Sequence, residues 1–569
     1  MHFTSFGLMR NRFRLVAAVT TIVMMMLTTA ESYTDGTWTS QVKTGRSIVR
    51  AEHAMVASSQ PLASEVGLEI LRRGGNAIDA SIAMAAVLNL TEPMMTGIGG
   101  DLFALVYWSK TKELKGLNAS GRAPRALNLD HFARKGIREM PAEGMEPITV
   151  PGAVDGWTML LDKYGTMKLA DVLAPAIEYA ENGFPVMEKS AAEWAQGVEK
   201  LRRTPAASSN YLIEGRAPRA GEIFRQKNLA KTFRTLARGG RDAFYKGEIG
   251  RAIVDYCQKN GGYLSMQDFA EHKSEWVEPI STDYRGYKVY ECPPNGQGLT
   301  ALLALNILEG FDLASMNSKP DLYYHTLIEA IKLAFADRNK YIADPAFAKV
   351  PVAELLSKDY AATRRVLIKP DRTMDDVAPG VVVNHSDTVY FTVVDKDRNA
   401  VSFINSLFEN FGSGIVAGDT GIVLHDRGAG FSLDPGHVNR LEPGKRPFHT
   451  IIPSMVFKDG KLLMSFGVMG GAIQPQGHVQ VLTNLIDMGM NLQQAIEAPR
   501  FRYLSGKRVL LEDGITGPVI NSLIARGHQR VPLSPGFSMG GGQAIMIDPG
   551  SGTLMGASDP RKDGMALGY

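Results

Sequence analysis

Cysteine is scarce in this chain: Cys257 and Cys292 are the only two in 569 residues. Two cysteines cannot build a disulfide framework or a cysteine-based metal site, although they could pair or stay free. An excess of one charge is also missing. The formal net charge is +3 and no long Lys/Arg run occurs, so composition makes no case for nucleic acid. The H-E-x-x-H and P-loop signatures are absent, so no metal or nucleotide site stands out. No internal repeat and no low-complexity segment is found. The apolar run Leu15 to Leu27 is too short to span a bilayer as a helix.

What is present begins with an export pattern. Arg10, Arg12 and Arg14 precede that apolar run, which ends in Thr28-Thr29-Ala30. This is a charged region, an apolar region and a small-residue cleavage site, so residues 1–30 read as a signal peptide. No cysteine follows to carry a lipid. The expectation is an exported protein without a stable membrane anchor, periplasmic or secreted. A hydrophobic content of 44% and a charged content of 21% describe a globular chain. Its length predicts two domains or one large layered domain.

Along the mature chain, "PLASEVGLEILRRGG" predicts a helix that stops at Gly74-Gly75, and "NAIDASIAMAAVLNLTEP" a second, Ala-rich helix ended by Pro93. "LFALVYW" and "ELKGLNAS" predict a strand pair around Ser109-Lys110-Thr111. From about 150 to 380 the chain reads mostly as helices and loops. From Thr388 onward it reads as β-hairpins with glycine-rich turns, interrupted by the helix "LQQAIEAP". Two motifs are decoys. Gly536-Phe537-Ser538-Met539-Gly540 matches a nucleophile elbow, but prolines precede it and a strand pattern follows. Gly296-Gln297-Gly298 resembles a dinucleotide loop, but Pro293-Pro294 intervene after "YKVYE", so a plain strand-to-helix turn is expected.

The stretch "HSDTVYFTVVDKDRNAVSFINS" is more informative. Short polar residues stop at Thr388, where a hairpin begins. If its loop centres on Asp397, Thr388 lies opposite Ser406 and their hydroxyls can hydrogen-bond. A threonine hydroxyl is a weak nucleophile without a base. Cutting the peptide bond before Thr388 would supply one, because the new α-amine has a pKa near 8.

These segments, together with "EPMMTGIGGDLFALVY", "VPGAVDGW", "FGSGIVAGDTGIVL", "KRPFHTIIPSMV", "GGAIQPQGHVQVLTN" and "GASDPR", resemble the γ-glutamyltranspeptidase family of N-terminal nucleophile hydrolases across nearly all of the mature chain. The resemblance implies a four-layer αββα sandwich of the α/β class. It implies a precursor cut between Asp387 and Thr388 into pieces of about 31–387 and 388–569 that stay intertwined. Thr388 would then be the nucleophile, Ser406 its hydroxyl partner and Gly470-Gly471 the oxyanion support. No metal or organic cofactor is implied. The partners would be a small amide substrate, water or an amine as acceptor, and the two pieces of the precursor.

The match departs from glutathione-cleaving members at the substrate. Ser120 stands where an arginine is expected, with Arg122 two residues later. Gly430 stands at an acid's position, His449-Thr450 replaces a Ser-Ser pair, and Phe408 occupies a polar position. Arg122, Ser120, His449 and Thr450 are therefore the candidate substrate-binding residues, and Arg122 or Arg446 could hold a carboxylate. Three readings follow. The first is a self-processing enzyme that cleaves a γ-glutamyl or similar small acidic amide through an acyl-threonine. The second is an oxamate-type amidohydrolase or other acylase without glutathione activity, toward which the departures point. The third is an uncleaved, inactive exported binding protein.

Overall fold

The computed structural model describes residues 45–375, 387–533 and 539–569, with Asp387 described by its backbone alone. The signal peptide read in residues 1–30, the polar run before Asp387 and the serine of the elbow-like motif lie outside them. Two seven-stranded sheets stack face to face. One runs, edge to edge, Met565–Gly568, Met55–Ser58, Asp387–Val394, Ala400–Phe408, Asp101–Trp108, Glu113–Ala119 and Glu275–Val277. The other runs Val49–Ala51, Leu554–Ser558, Gly541–Ile547, Lys461–Met469, Ser454–Lys458, Tyr287–Glu291 and Ile280–Tyr284. Every pairing in these two sheets is antiparallel.

Period-two side-chain alternation sorts the layers. In Asp387–Val394, Val389, Phe391 and Val393 join the core under the helices Pro61–Arg72 and Ala77–Thr91. Tyr390 and Val394 point the other way, into the layer shared with Met455, Leu462, Met469 and Ile545 of the second sheet. The outer face of that sheet packs on the helices Gly298–Leu308, Pro320–Tyr341 and Ile473–Ile486. The result is the αββα sandwich. The helix Ala77–Thr91 is buried along its whole length, and small side chains let it lie close to its neighbours. Asn76 caps it in a capping box with Asp79.

The early helices, the strand pair Asp101–Trp108/Glu113–Ala119 and the Asp395–Asn399 hairpin loop all fall where the pattern predicts them. The stretch 275–291 differs. It holds three short strands where mostly helices and loops are expected, "YKVYE" excepted. Glu275–Val277 and Ile280–Tyr284 are sheet edges, Tyr287–Glu291 lies next to one, and all three are partly exposed, so their apolar pattern is weak. Cys257 and Cys292 are both buried and unpaired. Among the described residues no helix is long and apolar enough to cross a membrane.

One buried acid carries a stability prediction. The Ser59 hydroxyl donates to the Glu92 carboxylate. Burial pushes the Glu92 carboxyl from 4.5 up to about 7, against the pull of Lys562 and of that hydrogen bond. A folded-state pKa above the unfolded one means the folded chain keeps this proton longer as pH rises. Its contribution therefore worsens from about pH 4.5 and levels off above about pH 7. Glu92→Gln should stabilise the protein by roughly 1–3 kcal/mol at about pH 8 and by little at about pH 4. Thermal melts at both pH values check it, and equal shifts would exclude titration as the cause.

Candidate active site

Thr388 opens the hairpin strand and is fully buried. Ladder pairs run from Val389↔Asn405 to Val394↔Ala400, and the register slips by one residue at the start, where Asp387 faces Phe408. A bulge therefore sits opposite Thr388, where Ser406 and Leu407 of the partner strand together face this one residue. Its Oγ1 lies 3.1 Å from Ser406 Oγ. Ser406 is itself held by two donors: the Phe408 amide at 2.8 Å and Arg427 Nη2 at 3.1 Å. Phe408 has φ 82°, in the left-handed region.

Arg427 is wholly buried, and its Nη1 donates to Thr450 Oγ1 at 2.9 Å. Its guanidinium lies 4.2 Å over the Phe408 ring. Burial pulls the guanidinium down to about 10, against Asp101, Asp426 and Glu409, so it stays cationic at neutral pH.

Asp101 is the ladder partner of Ser406 on the next strand. It accepts from the Gly121 amide at 2.9 Å and from His449 Nε2 at 3.0 Å. His425 Nδ1 lies 3.5 Å away. Burial pushes the Asp101 carboxyl up, but His425, the His449 hydrogen bond and Arg427 outweigh it and hold it at about 2. Burial, then Arg427, pull His449 down to about 3. The imidazole is thus neutral and donates Nε2–H to an ionised Asp101.

Glycines bring the backbones of this floor together. A Cβ on Gly100 would sit 2.3 Å from the Ser406 carbonyl oxygen, and one on Gly121 1.6 Å from that of Val150. Neither glycine can be replaced without moving main chain.

Gly470 and Gly471 follow the strand Lys461–Met469 with φ 116° and 68°, values open to glycine. Gln297 ties this turn to the site: its Nε2 donates to the Gly471 carbonyl at 2.9 Å and to the Thr450 carbonyl at 2.7 Å. Its Oε1 accepts from Arg338 Nη1 at 3.1 Å. Gln297 precedes the helix Gly298–Leu308, so Gly296-Gln297-Gly298 is the plain strand-to-helix turn expected.

The structure thus gathers Thr388, Ser406, Thr450 and His449 into one network through Arg427 and Asp101. Ser120 is buried nearby, but its hydroxyl donates to Asn118 Oδ1 at 2.7 Å and faces Asn295 Nδ2 at 3.2 Å. Arg122 is committed elsewhere, to Glu275 at 3.0 Å and Asp344 at 3.6 Å. Arg446 also pairs with Glu275, at 3.0 Å, and donates to the Ser120 carbonyl at 3.1 Å. Sequence reading missed Asp101, Gln297 and Arg427. Asp101 begins a strand directly after Gly99-Gly100, and that abrupt polar start is the signal that could have found it.

Among the described residues, one group has the ligand atoms a metal ion needs, and its atoms are already engaged. His325, Glu329 and His528 cluster within 4.8 Å. Yet His325 Nδ1 and His528 Nε2 bond each other at 2.8 Å, and Glu329 takes Lys332 at 3.1 Å and the Met374 amide at 2.7 Å. A lysine ammonium already supplies the charge that a cation would.

The γ-glutamyltranspeptidase family model matches residues 63–569. The chain belongs to the γ-glutamyltranspeptidase family. It is 44% identical to a glutathione hydrolase-like proenzyme, YwrD, of Bacillus subtilis (strain 168), over 90% of this chain and 98% of that one. It is 37% identical to an oxamate amidohydrolase proenzyme of Klebsiella pneumoniae, over 91% and 98% of the two. The crystal structure of a cephalosporin acylase from Bacillus halodurans matches with a TM-score of 0.87 at 44% identity, covering 94% of this chain and 99% of that chain. This γ-glutamyltranspeptidase-family member is therefore an enzyme with the N-terminal nucleophile hydrolase fold, of hydrolase or acyltransferase type.

Proposed function

We propose that this enzyme is a self-processing precursor whose Thr388 becomes the nucleophile for cleaving a γ-glutamyl or similar small acidic amide. The observation that carries the reading is the buried Thr388 hydroxyl, 3.1 Å from a Ser406 hydroxyl that two other groups hold in place. In self-cleavage, Thr388 Oγ1 attacks the Asp387 carbonyl. The Asp387–Thr388 C–N bond breaks, the nitrogen becomes a free α-amine, and water hydrolyses the resulting ester. In turnover, that α-amine takes the hydroxyl proton as Oγ1 attacks the substrate amide. The tetrahedral oxyanion is met by amides of the Gly470-Gly471 turn. The proton then passes to the leaving nitrogen. Water or an amine takes the acyl group from Thr388, and the threonine is restored.

The names of the relatives, all proenzymes or acylases, support this reading. With residues 1–30 read as an export signal, the enzyme would work outside the cytoplasm. The third reading, an inactive binding protein, has no observation in its favour.

A denaturing gel and N-terminal sequencing of the purified protein test the processing step. Two pieces are expected, the smaller starting at Thr388. A single full-length band from active enzyme would end the proposal. The second reading, an amidohydrolase without glutathione activity, is favoured by Ser120 and Gly430. Neither brings a charge, and the Ser120 hydroxyl is already spent. A zwitterionic glutamyl head group left without partners loses charge-assisted bonds of about 1.5–3 kcal/mol each. Glutathione turnover should therefore be at least about 100-fold slower than ammonia release from a good amide substrate.

A further inference from the structure

We propose that Arg427 reads a carboxylate on the acyl side of the substrate, attached directly to the scissile carbonyl or one methylene away. The inference rests on Thr388 being the nucleophile and names the acidic acyl group that such a site takes.

The two arginines that the sequence offers as carboxylate holders are both spent. Arg122 and Arg446 share Glu275, and Arg122 also reaches Asp344. Arg427 is different. Among the described residues no carboxylate comes within ion-pair distance of it, and its Nε–H is buried without an acceptor. Arg500 is as deeply buried and its Nε–H likewise lacks an acceptor, but its guanidinium holds Asp559 at 2.8 Å, so the contacting carboxylate is what Arg427 lacks. A buried cation without a contacting anion is costly to keep. The Phe408 ring under Arg427 removes water from one face and offers no counter-charge there.

Position sets the ligand. Arg427 Nη2 bonds Ser406 Oγ, which bonds Thr388 Oγ1, so the guanidinium stands two hydrogen bonds from the attacking oxygen. A carbonyl carbon poised for attack lies about 3–3.5 Å from that oxygen. A carboxylate next to that carbon, or one methylene on, falls within reach of the guanidinium fork. Two of the five N–H donors are occupied by Ser406 and Thr450, which leaves three, Nε among them, for a planar anion. The α-carboxylate of a γ-glutamyl group is carried three carbons beyond the carbonyl carbon's neighbour. It would need a charge elsewhere, where Ser120 and Gly430 supply none. The acyl groups that fit are thus oxalyl and malonyl types, whose mono-amides release ammonia.

Oxamate and oxamide form the deciding pair, because they differ only by carboxylate against carboxamide. The wild-type enzyme should show kcat/KM for oxamate or malonamate at least about 100-fold above that for oxamide. Arg427→Gln should collapse the oxamate:oxamide ratio to within about threefold, while Arg427→Lys keeps part of it. If Arg427 only positioned Ser406, Arg427→Gln would slow both amides equally and leave the ratio intact, which overturns the proposal. Should Arg427→Gln remain a single chain, the wild-type enzyme decides. Competitive inhibition by oxalate, stronger than by oxamide, supports the proposal; no inhibition with a ratio near one overturns it. Processed enzyme that hydrolyses other amides but ignores the carboxylate defeats this inference alone. Enzyme lacking a Thr388 terminus defeats the reading beneath it.

Discussion

Thr388→Ala is expected to yield one full-length chain with amide turnover reduced by about 10⁴–10⁶-fold. Removing the attacking atom of an acyl-transfer enzyme commonly leaves only the contribution of binding and oxyanion stabilisation. Here the loss is double, because the same hydroxyl would open its own peptide bond and later attack the substrate. The hydroxyl is small and its neighbours, Ser406 and the Phe408 amide, keep each other's hydrogen bond without it, so the fold should survive. Thr388→Ser separates the two roles. It should process and turn over, more slowly, since it keeps the oxygen and loses the methyl group that restricts χ1. Mass spectrometry of both variants, beside an ammonia-release assay, gives the answer. Complete cleavage of Thr388→Ala before residue 388 would show that another group performs the cut.

Gly100→Ala should cost nearly as much, without touching any reacting atom. The added methyl would stand 2.3 Å from the Ser406 carbonyl oxygen, and no side-chain rotation relieves a clash with main chain. Either the strand Ala400–Phe408 or the Gly97–Gly100 turn must shift. Ser406 would then be displaced from Thr388 and its ladder partner Asp101 from His449. A misplacement of about 1 Å at a reacting pair costs on the order of 100-fold in rate. The expected result is a precursor that processes slowly and melts at lower temperature, with kcat falling more than KM rises. Gly74→Ala is the comparison. Its φ of 94° also strains an alanine, but nothing lies within 4 Å, so only stability should fall. Equal activity losses in the two variants would assign the Gly100 effect to stability alone.

The layered fold was legible where periodicity is strong. Alternation in "TVYFTVV" and "AVSFI" and the loop centred on Asp397 place Thr388 beside Ser406. The structure keeps that pairing, but adds a bulge that no alternation pattern encodes. The rest of the site is built from pairs far apart in sequence, and local patterns carry no trace of them. Asp101 meets His449, and Gln297 bridges Thr450 and Gly471, because two sheets are stacked. Arg427 lies in a short 3₁₀ turn, "RGAG", whose composition suggests only a surface loop. Its burial comes from the Phe408 ring and the second sheet's loops. Arg122, by contrast, reads as a carboxylate-holding residue two places from Ser120, yet it pairs with Glu275.

The strand order carries a consequence for the lifetime of the molecule. Each sheet mixes strands from before and after Thr388: Met55–Ser58 lies between Met565–Gly568 and Asp387–Val394, and Val49–Ala51 edges Leu554–Ser558. A chain severed at Thr388 would hold together because each fragment completes the other's hydrogen-bond ladders. Once melted, however, it would have to reassemble from two separate polypeptides, and recovery would depend on protein concentration. An intact precursor carries no such dependence, so the mature form would persist chiefly through slow unfolding.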